Sequence, residues 1–311
     1  MHTARSEPGT ASLDGHVYVA GGFGTLEGYL SSVERYDPGR GTWDLLPPMK
    51  APRSALGLAA LDGKLFAVGG EGPTGVLNTV ECFDPRVGQW APAPPLLTAR
   101  SGLALAASEE DGRLYAVGGF SSRPEPLAHV ECFTLAGHHG VRTNDNGDTA
   151  GSASATASAS ASESTGLPAI AATGTGDGHW CCLPPLNSPR SDLGVAILRG
   201  RLFAVGGFSD GEDVASVECL DLGPRTPNSR WSWSFVAPMQ QPRSYHGVLS
   251  LRNVLFAVGG RGAHLGRLSS TECFEEQTWS WRFVSNFAGG PRAQLGVAAV
   301  ATASPVPSTK K

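Results

Sequence analysis

The chain has 311 residues, 41% of them apolar, and a formal charge of −4. That is enough to bury a large core as one repeat domain or two ordinary ones, and the charge supplies no field that would gather phosphate backbones or anionic membranes. With 41 glycines, 23 prolines and only 17% charged residues, the composition argues against helical bundles and coiled coils and suits short strands joined by tight turns.

Residues 1–16, "MHTARSEPGTASLDGH", hold no apolar run of signal-peptide length, and no later run is long enough to span a bilayer. A soluble cytoplasmic protein is therefore expected, with neither nucleic acid nor membrane among its partners. A weak first strand is read over 7–13, "EPGTASL", and is followed by Asp14-Gly15. The second strand, "HVYVAGG" (16–22), ends on Gly21-Gly22; the third carries Glu34 in "VERYDP" (33–38); the fourth starts at Trp43 and runs into "LPPM" (46–49).

At Arg53 the same order begins again. "LGLAAL" (56–61), Asp62-Gly63, "KLFAVGG" (64–70, ending Gly69-Gly70), "NTVECFD" (78–84, with Glu81) and Trp90 make a second unit. The third runs from Arg100 through "RLYAVGG" (113–119, ending Gly118-Gly119) and Glu131 to Trp180. The fourth runs from Arg190 through "LGVAIL" (193–198), "RLFAVGG" (201–207, ending Gly206-Gly207) and Glu218 to Trp233. The fifth runs from Arg243 through "HGVLSL" (246–251), "VLFAVGG" (254–260, ending Gly259-Gly260) and Glu272 to Trp281. The final stretch, 292–303, opens with Arg292 and "AQLGVAAV" and has no Gly-Gly after it.

The spacings fix the register. Arg to the first glycine is 16 residues in four units and 18 in the third; Glu to Trp is 9 in three units, 49 in the third and 15 in the fourth. Insertions of 40 and 6 residues thus fall at one point of the repeat. Asp-Gly between the first two strands is the sequence a type I′ hairpin prefers. Strands apolar on both faces require sheets covered on both sides, and radial stacking of four-stranded units with a period near 50 is a β-propeller.

The Gly-Gly pair, "VERYDP" or "VECFDP" (80–85), the Trp and the "LPPM" or "APM" (237–239) turn together resemble the kelch repeat family over nearly the whole chain except 135–179. The expected fold is an all-β, kelch-type β-propeller of four-stranded antiparallel blades. Repeat count gives five blades (5–52, 53–99, 100–189, 190–242 and 243–291), or six if the chain is incomplete. The weak first strand suggests a clasp, in which the closing strand 292–303 supplies the inner strand of the first blade; 304–311 is a tail. The glycines are read as packing devices at strand ends near the axis. The Arg and Glu landmarks are read as buried pairs within or between blades.

Cys82, Cys132, Cys219 and Cys273 occupy one position in successive units, too far apart to pair, and read as core residues, as do Cys181-Cys182. The stretch 135–179, rich in Ala, Ser, Gly and Thr, is expected to be a disordered insertion. Strand alternation puts it, "GPRTPNS" (223–229) and "SEED" (108–111) on one end of the ring.

The opposite end collects the residue after each Gly-Gly (Phe23, Glu71, Phe120, Phe208, Arg261) and the residue after each Arg (Ser6, Ser54, Ser101, Ser191, Ser244, Ala293), with Tyr245 beside the fifth serine. The kelch resemblance implies that these sets ring the central opening and contact short peptide segments. Exposed aromatics suit an anchor pocket, hydroxyls donate or accept as required, and Arg261 offers a charged fork. The expected protein is a non-enzymatic interaction module without cofactor or metal. The uses that the resemblance implies are substrate recognition for cullin-type ubiquitin ligases, or actin and cytoskeletal binding. An enzyme of the kelch-like sugar-oxidase or isomerase kind would need His and Tyr clustered on one face. Only Tyr245-His246 and His264 approach that, and His138-His139 is a weak metal suggestion.

Overall fold

The structure is a computed structural model and describes residues 1–122, 125–137, 178–223, 231–263, 265–286 and 290–300. The expected disorder of 135–179, apart from its ends, lies outside the described residues; so do 224–230, His138, His139, His264 and 301–311. His179, assigned by sequence to the insertion, instead opens a strand.

Five four-stranded antiparallel sheets follow one another, each a simple meander. Blade one comprises Gly9–Leu13, His16–Ala20, Val33–Asp37 and Thr42–Leu46. Blade two comprises Gly57–Leu61, Lys64–Val68, Val80–Asp84 and Gln89–Ala93; blade three, Ala104–Ser108, Arg113–Val117, Val130–Thr134 and His179–Leu183. Blade four comprises Gly194–Leu198, Arg201–Val205, Val217–Asp221 and Ser234–Val236; blade five, Gly247–Leu251, Val254–Val258, Ser270–Glu275 and Ser280–Asn286. The arrangement is a five-bladed β-propeller. Asp62 (φ 52°) and Gly63 (φ 68°) take the left-handed conformations that a type I′ hairpin needs, as Asp14 and Gly15 do in blade one. Short hairpins absent from the sequence reading, such as Phe23–Gly24 with Gly28–Tyr29, stand in the loops between second and third strands.

Each Arg–Glu landmark is a buried ion pair inside one blade: Arg5–Glu34, Arg53–Glu81, Arg100–Glu131, Arg190–Glu218 and Arg243–Glu272, at 2.5–2.8 Å. The guanidinium also donates to the first Gly-Gly carbonyl and to a carbonyl two residues before the Glu, as Arg53 does to Gly69 and Thr79. The Glu in turn accepts two backbone N–H groups, Lys50 and Ala51 on Glu81. Both charges are thus paired and their remaining polar atoms largely satisfied, which a buried pair requires. In four blades the Trp stacks on an aromatic residue of the third strand, as in Tyr36–Trp43, Phe83–Trp90, Phe133–Trp180 and Phe274–Trp281; blade four has Leu220 at that position. Trp90, Trp180 and Trp233 donate their indole N–H to Pro47, Pro94 and Pro184 in the preceding unit, which explains the proline turns.

The Gly-Gly pair joins one blade to the next. A Cβ on Gly69 (φ 61°) would lie 2.6 Å from the Arg100 carbonyl oxygen, and the Gly70 N–H donates to that same oxygen at 2.9 Å. No other residue permits both the conformation and the approach.

Closure differs from the clasp expected by sequence. Blade one has its own inner strand, Gly9–Leu13, paired with His16–Ala20. Its small residues mislead because inner strands crowd the axis: a Cβ on Gly9 would sit 2.7 Å from the Leu58 Cβ of blade two. The C-terminal segment closes the ring by taking a position of its own. Gly296 abuts Thr10 of blade one, and Val297 abuts Gly247 of blade five. The axis is therefore surrounded by six inner elements, five in complete blades and the sixth a lone segment. Six backbone bonds seal the circle. Ala55 N–H donates to Glu7 C=O, Gly102 to Ala55, Asp192 to Gly102, Tyr245 to Asp192, Gln294 to Tyr245 and Glu7 to Gln294, at 2.8–3.3 Å. All six residues have φ of 49–60°, a strained region for the five that are not glycine, held by this mutual bonding.

Candidate functional site

The end of the ring formed by the 2–3 and 4–1 loops holds the residues singled out from the sequence. Each residue after a Gly-Gly bridges the residue after an Arg: Ser6 with Phe23, Ser54 with Glu71, Ser101 with Phe120, Ser191 with Phe208 and Ser244 with Arg261. The two sets read separately in the sequence are one set of five bridged pairs around the opening.

Their exposure separates them. Phe23 is 43% exposed and packs edge-on against Tyr29, with ring centroids 5.2 Å apart. Phe120, Phe208, Glu71 and Tyr245 are half-buried, and Arg261 is exposed. Ser54, Ser101, Ser191 and Ser244 are buried. The Ser191 hydroxyl donates to Asp192 and the Ser244 hydroxyl to Asp213 at 2.6 Å. Bridge formation draws the serine backbone into the sheet edge, so these side chains hold acidic neighbours in place rather than offering free hydroxyls to the opening. Ala293 continues the sequence pattern at the sixth position, where no residue bridges it among the described ones.

Arg261 is likewise less free than its position in the sequence suggests. Its Nε and Nη2 both reach the buried Asp213, at 3.2 and 2.9 Å, and its guanidinium lies over Phe208 and Tyr245, 5.9 and 5.5 Å from their ring centroids. Asp213, missed by sequence reading, belongs to one of the short loop hairpins. Packing on two aromatic faces fixes the planar cation where a lysine would not lie flat.

Sequence reading also missed the residues of the sealing circle, whose side chains surround the mouth. Glu7 accepts from Gln294 Nε2 at 2.7 Å. Burial raises its carboxyl above the usual range despite that bond, and nearby Glu71 adds to the rise. Burial pushes Asp192 up to about 7, against the bond from Ser191. Tyr245 is raised to about 12 by burial and by the neighbouring Asp192 and Glu7. Four carboxyls (Glu7, Glu71, Asp192, Asp213) thus stand around the mouth, only Asp213 bonded to the Arg261 guanidinium, and burial raises the pKa of Glu7 and Asp192. A signal was available: an acidic residue directly follows Ser6 and Ser191.

Below the mouth the channel is narrow and lined by the first residues of the inner strands, from Gly9, Gly57 and Ala104 to Gly194, Gly247 and Val297. His246 takes the place of Leu56, Leu103 and Leu193 in other units and is 5% exposed. Neither of its ring nitrogens makes a hydrogen bond of ordinary geometry. Burial, aided by Arg243, pushes its pKa down to about 3, so it is a neutral packing residue beside Tyr245. Among the described residues no group of three or more His, Cys, Asp and Glu side chains is arranged to hold a metal. The six cysteines are unbridged; Cys132 and Cys181 face each other across the third and fourth strands of blade three, both buried, while Cys182 is exposed.

The repeat matches the family model described as the kelch motif at residues 4–50, 52–97, 189–240 and 242–288. The chain belongs to the kelch repeat family. The third unit, carrying the long insertion, falls between the matched segments. Kelch-like protein 26 of Danio rerio is 26% identical over 294 residues, covering 89% of this chain and 40% of that protein. The influenza virus NS1A-binding protein homolog of Xenopus laevis is 38% identical over 87 residues, 28% of this chain and 13% of that one. An F-box/kelch-repeat protein of Arabidopsis thaliana is 40% identical over 70 residues, 22% of this chain and 19% of its own length. The chain therefore spans less than half the length of these curated relatives. The solved structure of YjhT aligns with a TM-score of 0.65 at 16% identity, over 90% of this chain and 84% of that one, which establishes a shared propeller fold.

Proposed function

We propose that this kelch propeller is a non-enzymatic protein-interaction module, which binds a short segment of a partner protein at the opening ringed by Phe23, Glu71, Phe120, Phe208, Tyr245 and Arg261. The observation that carries the reading is the combination of one exposed and three half-buried aromatics with under-compensated carboxyls on one rigid rim. Phe23 keeps 43% of its surface in solvent although its neighbours in the loop are ordered by backbone bridges. Aromatic anchors in a preformed ring are what concentrate binding energy at interfaces. The carboxyls favour a segment with apolar side chains and at least one Lys or Arg, because a cation restores their ionised form. Recognition of substrates for a ubiquitin ligase is a use this module would serve, and the F-box/kelch-repeat relative supports it by pairing such repeats with an F-box in its name.

The test is selection of peptides from a random displayed library on the full chain, followed by titration of the best binder. One-to-one binding that weakens about tenfold or more in Phe23→Ala and Phe120→Ala, with unchanged thermal melts, is the expected result. Binding indifferent to both substitutions removes this rim as the site.

A further inference from the structure

One position of the repeat brings two thiols face to face. The residue after each landmark Glu lies on the third strand and stands opposite a residue of the fourth. The pairs are Arg35 with Asp44, Cys82 with Ala91, Cys132 with Cys181, Cys219 with Ser234 and Cys273 with Arg282. Side chains at this pair of positions meet, since Arg35 and Asp44 form an ion pair at 3.0 Å. Of the five blades, only blade three places a cysteine on both strands.

Directly opposed residues of an antiparallel pair have Cα atoms about 4.5–5.5 Å apart, within the span of about 4.4–6.8 Å that a disulfide bridges. The Cys132 S–H donates to the Cys181 sulfur, and this bond, with burial, holds the Cys132 thiol well above its ordinary value. The same bond lowers Cys181 against the effect of its burial, and Arg113 lowers it further. Arg113 reaches the pair because it lies two residues before Tyr115 on the second strand, and Tyr115 stands opposite Cys132 on the same face. Both cysteines are buried in the apolar cluster, with Leu183, Leu193 and Trp233, that joins blade three to blade four. Such an enclosed site restricts attack to a small oxidant. The exposed Cys182 points to the other face of its strand, opposite Glu131, and so competes for neither sulfur.

We infer that Cys132 and Cys181 form a reversible disulfide when the protein meets hydrogen peroxide, with Cys181 the attacking sulfur and Cys132 the resolving one. The Cys181 thiolate attacks one peroxide oxygen and the O–O bond breaks. The departing hydroxide takes up a proton as water, leaving Cys181 as the sulfenic acid. The Cys132 sulfur then attacks the Cys181 sulfur. The S–S bond forms, the S–O bond breaks, and the hydroxyl leaves with the Cys132 proton as a second water. Two thiols lose two electrons, and one peroxide gains them. The bond restrains more chain here than it would in another blade, since Cys132 and Cys181 are 49 positions apart whereas Cys82 and Ala91 are 9 apart. A crosslink constrains the unfolded chain more as the loop it closes lengthens, so oxidation stabilises blade three. The inference does not depend on the rim.

The experiment treats the full chain with hydrogen peroxide, raised until the exposed Cys182 is oxidised, then alkylates the remaining thiols and maps all six cysteines by peptide mass. A Cys132–Cys181 bond with Cys82, Cys219 and Cys273 still free is the expected product. Dithiothreitol should reverse it, and the oxidised chain should melt about 5 °C or more above the reduced one. Cys132→Ser should halt the reaction at a Cys181 sulfenic acid that dimedone captures, whereas Cys181→Ser should give neither the bond nor a dimedone adduct on Cys132. Recovery of Cys132 and Cys181 as free thiols overturns the inference. So does a bond through Cys182, a dimedone pattern with the two roles exchanged, or an oxidised chain that melts no higher than the reduced one. The wild-type map and melts decide the matter even where a serine variant fails to fold.

Discussion

Replacing Arg53 with alanine removes a fully buried cation and five hydrogen bonds at once. In the native blade its guanidinium donates to the carbonyls of Gly69 and Thr79, to the Thr79 hydroxyl and to Glu81, and its Nε reaches Ala51 C=O. The alanine leaves the Glu81 carboxyl 4% exposed, with two backbone N–H groups but no counter-charge. Removing one member of a buried pair costs about 3–5 kcal/mol, mostly because the other charge is stranded. At roughly 2–4 °C per kcal/mol for a domain approaching this size, the melting temperature should fall by about 10 °C. The ring supplies its own control. Arg292 has the same place in the repeat but is exposed and has no carboxylate in reach among the described residues, so Arg292→Ala should change stability by about 0.5 kcal/mol or less. Thermal unfolding of both variants by circular dichroism at one scan rate decides the matter. Equal melting temperatures for the two variants, or Arg53→Ala melting like wild type, would refute the claim that the pair and not the residue type carries the stability.

Gly69→Ala places a Cβ 2.6 Å from the Arg100 carbonyl at φ 61° and should cost about 3 kcal/mol, from left-handed strain and a forced shift of the next blade. Gly63→Ala, at φ 68° but with nothing within 4 Å, should cost about 1 kcal/mol by chemical denaturation; equal losses would show that close approach is irrelevant. His246 titrates near 3 when folded and near 6.5 when unfolded, so the unfolded chain takes up the proton and stability falls as pH drops through that window. His246→Leu should therefore gain on wild type by about 2–3 kcal/mol between pH 7 and pH 4.5, and a constant difference across that range would sink the assignment. Asp192 works in the opposite sense. Its folded pKa of about 7 lies above the unfolded value, so its contribution improves as pH falls from above 7 toward 4, and Asp192→Asn should be relatively most stabilising at pH 8. If denaturation at pH 8 and pH 5 gives the same difference from wild type, the carboxyl is not buried as described.

Much of the ring was legible in the sequence because its causes are local and recur. A type I′ turn needs left-handed residues, and Asp62-Gly63 spells them. A buried Arg needs a carboxylate, and a Glu follows each of the five paired arginines at nearly the same distance, as Glu81 follows Arg53. The rim was legible as two lists of positions but not as a surface. Nothing in the order Ser191-Asp192 or Ser244-Tyr245 says that the serine turns inward to hold an aspartate while the next residue faces the mouth. Nor does sequence spacing connect Arg261 to Asp213, since the partner lies on the adjacent blade's hairpin, 48 positions away.

Closure escaped the sequence reading for a related reason. A first strand of glycine, threonine, alanine and serine looks weak by β-propensity, which rates residues by how well they fill a half-buried pleated surface. At the axis the surface is already filled: Leu58 stands against Gly9, Leu105 against Gly57 and Val248 against Gly194. Smallness there is a requirement, so the apparent defect in blade one marks a sound inner strand, and the C-terminal segment is left without that vacancy. It takes the next position round the axis and completes the six-membered circle through Gln294, and no strand among the described residues pairs with it. The physical consequence is that hub and rim are held by the inner elements alone. The hub is closed by backbone bonds that need only one residue from each unit, so the mouth keeps its shape whether or not the sixth position acquires outer strands.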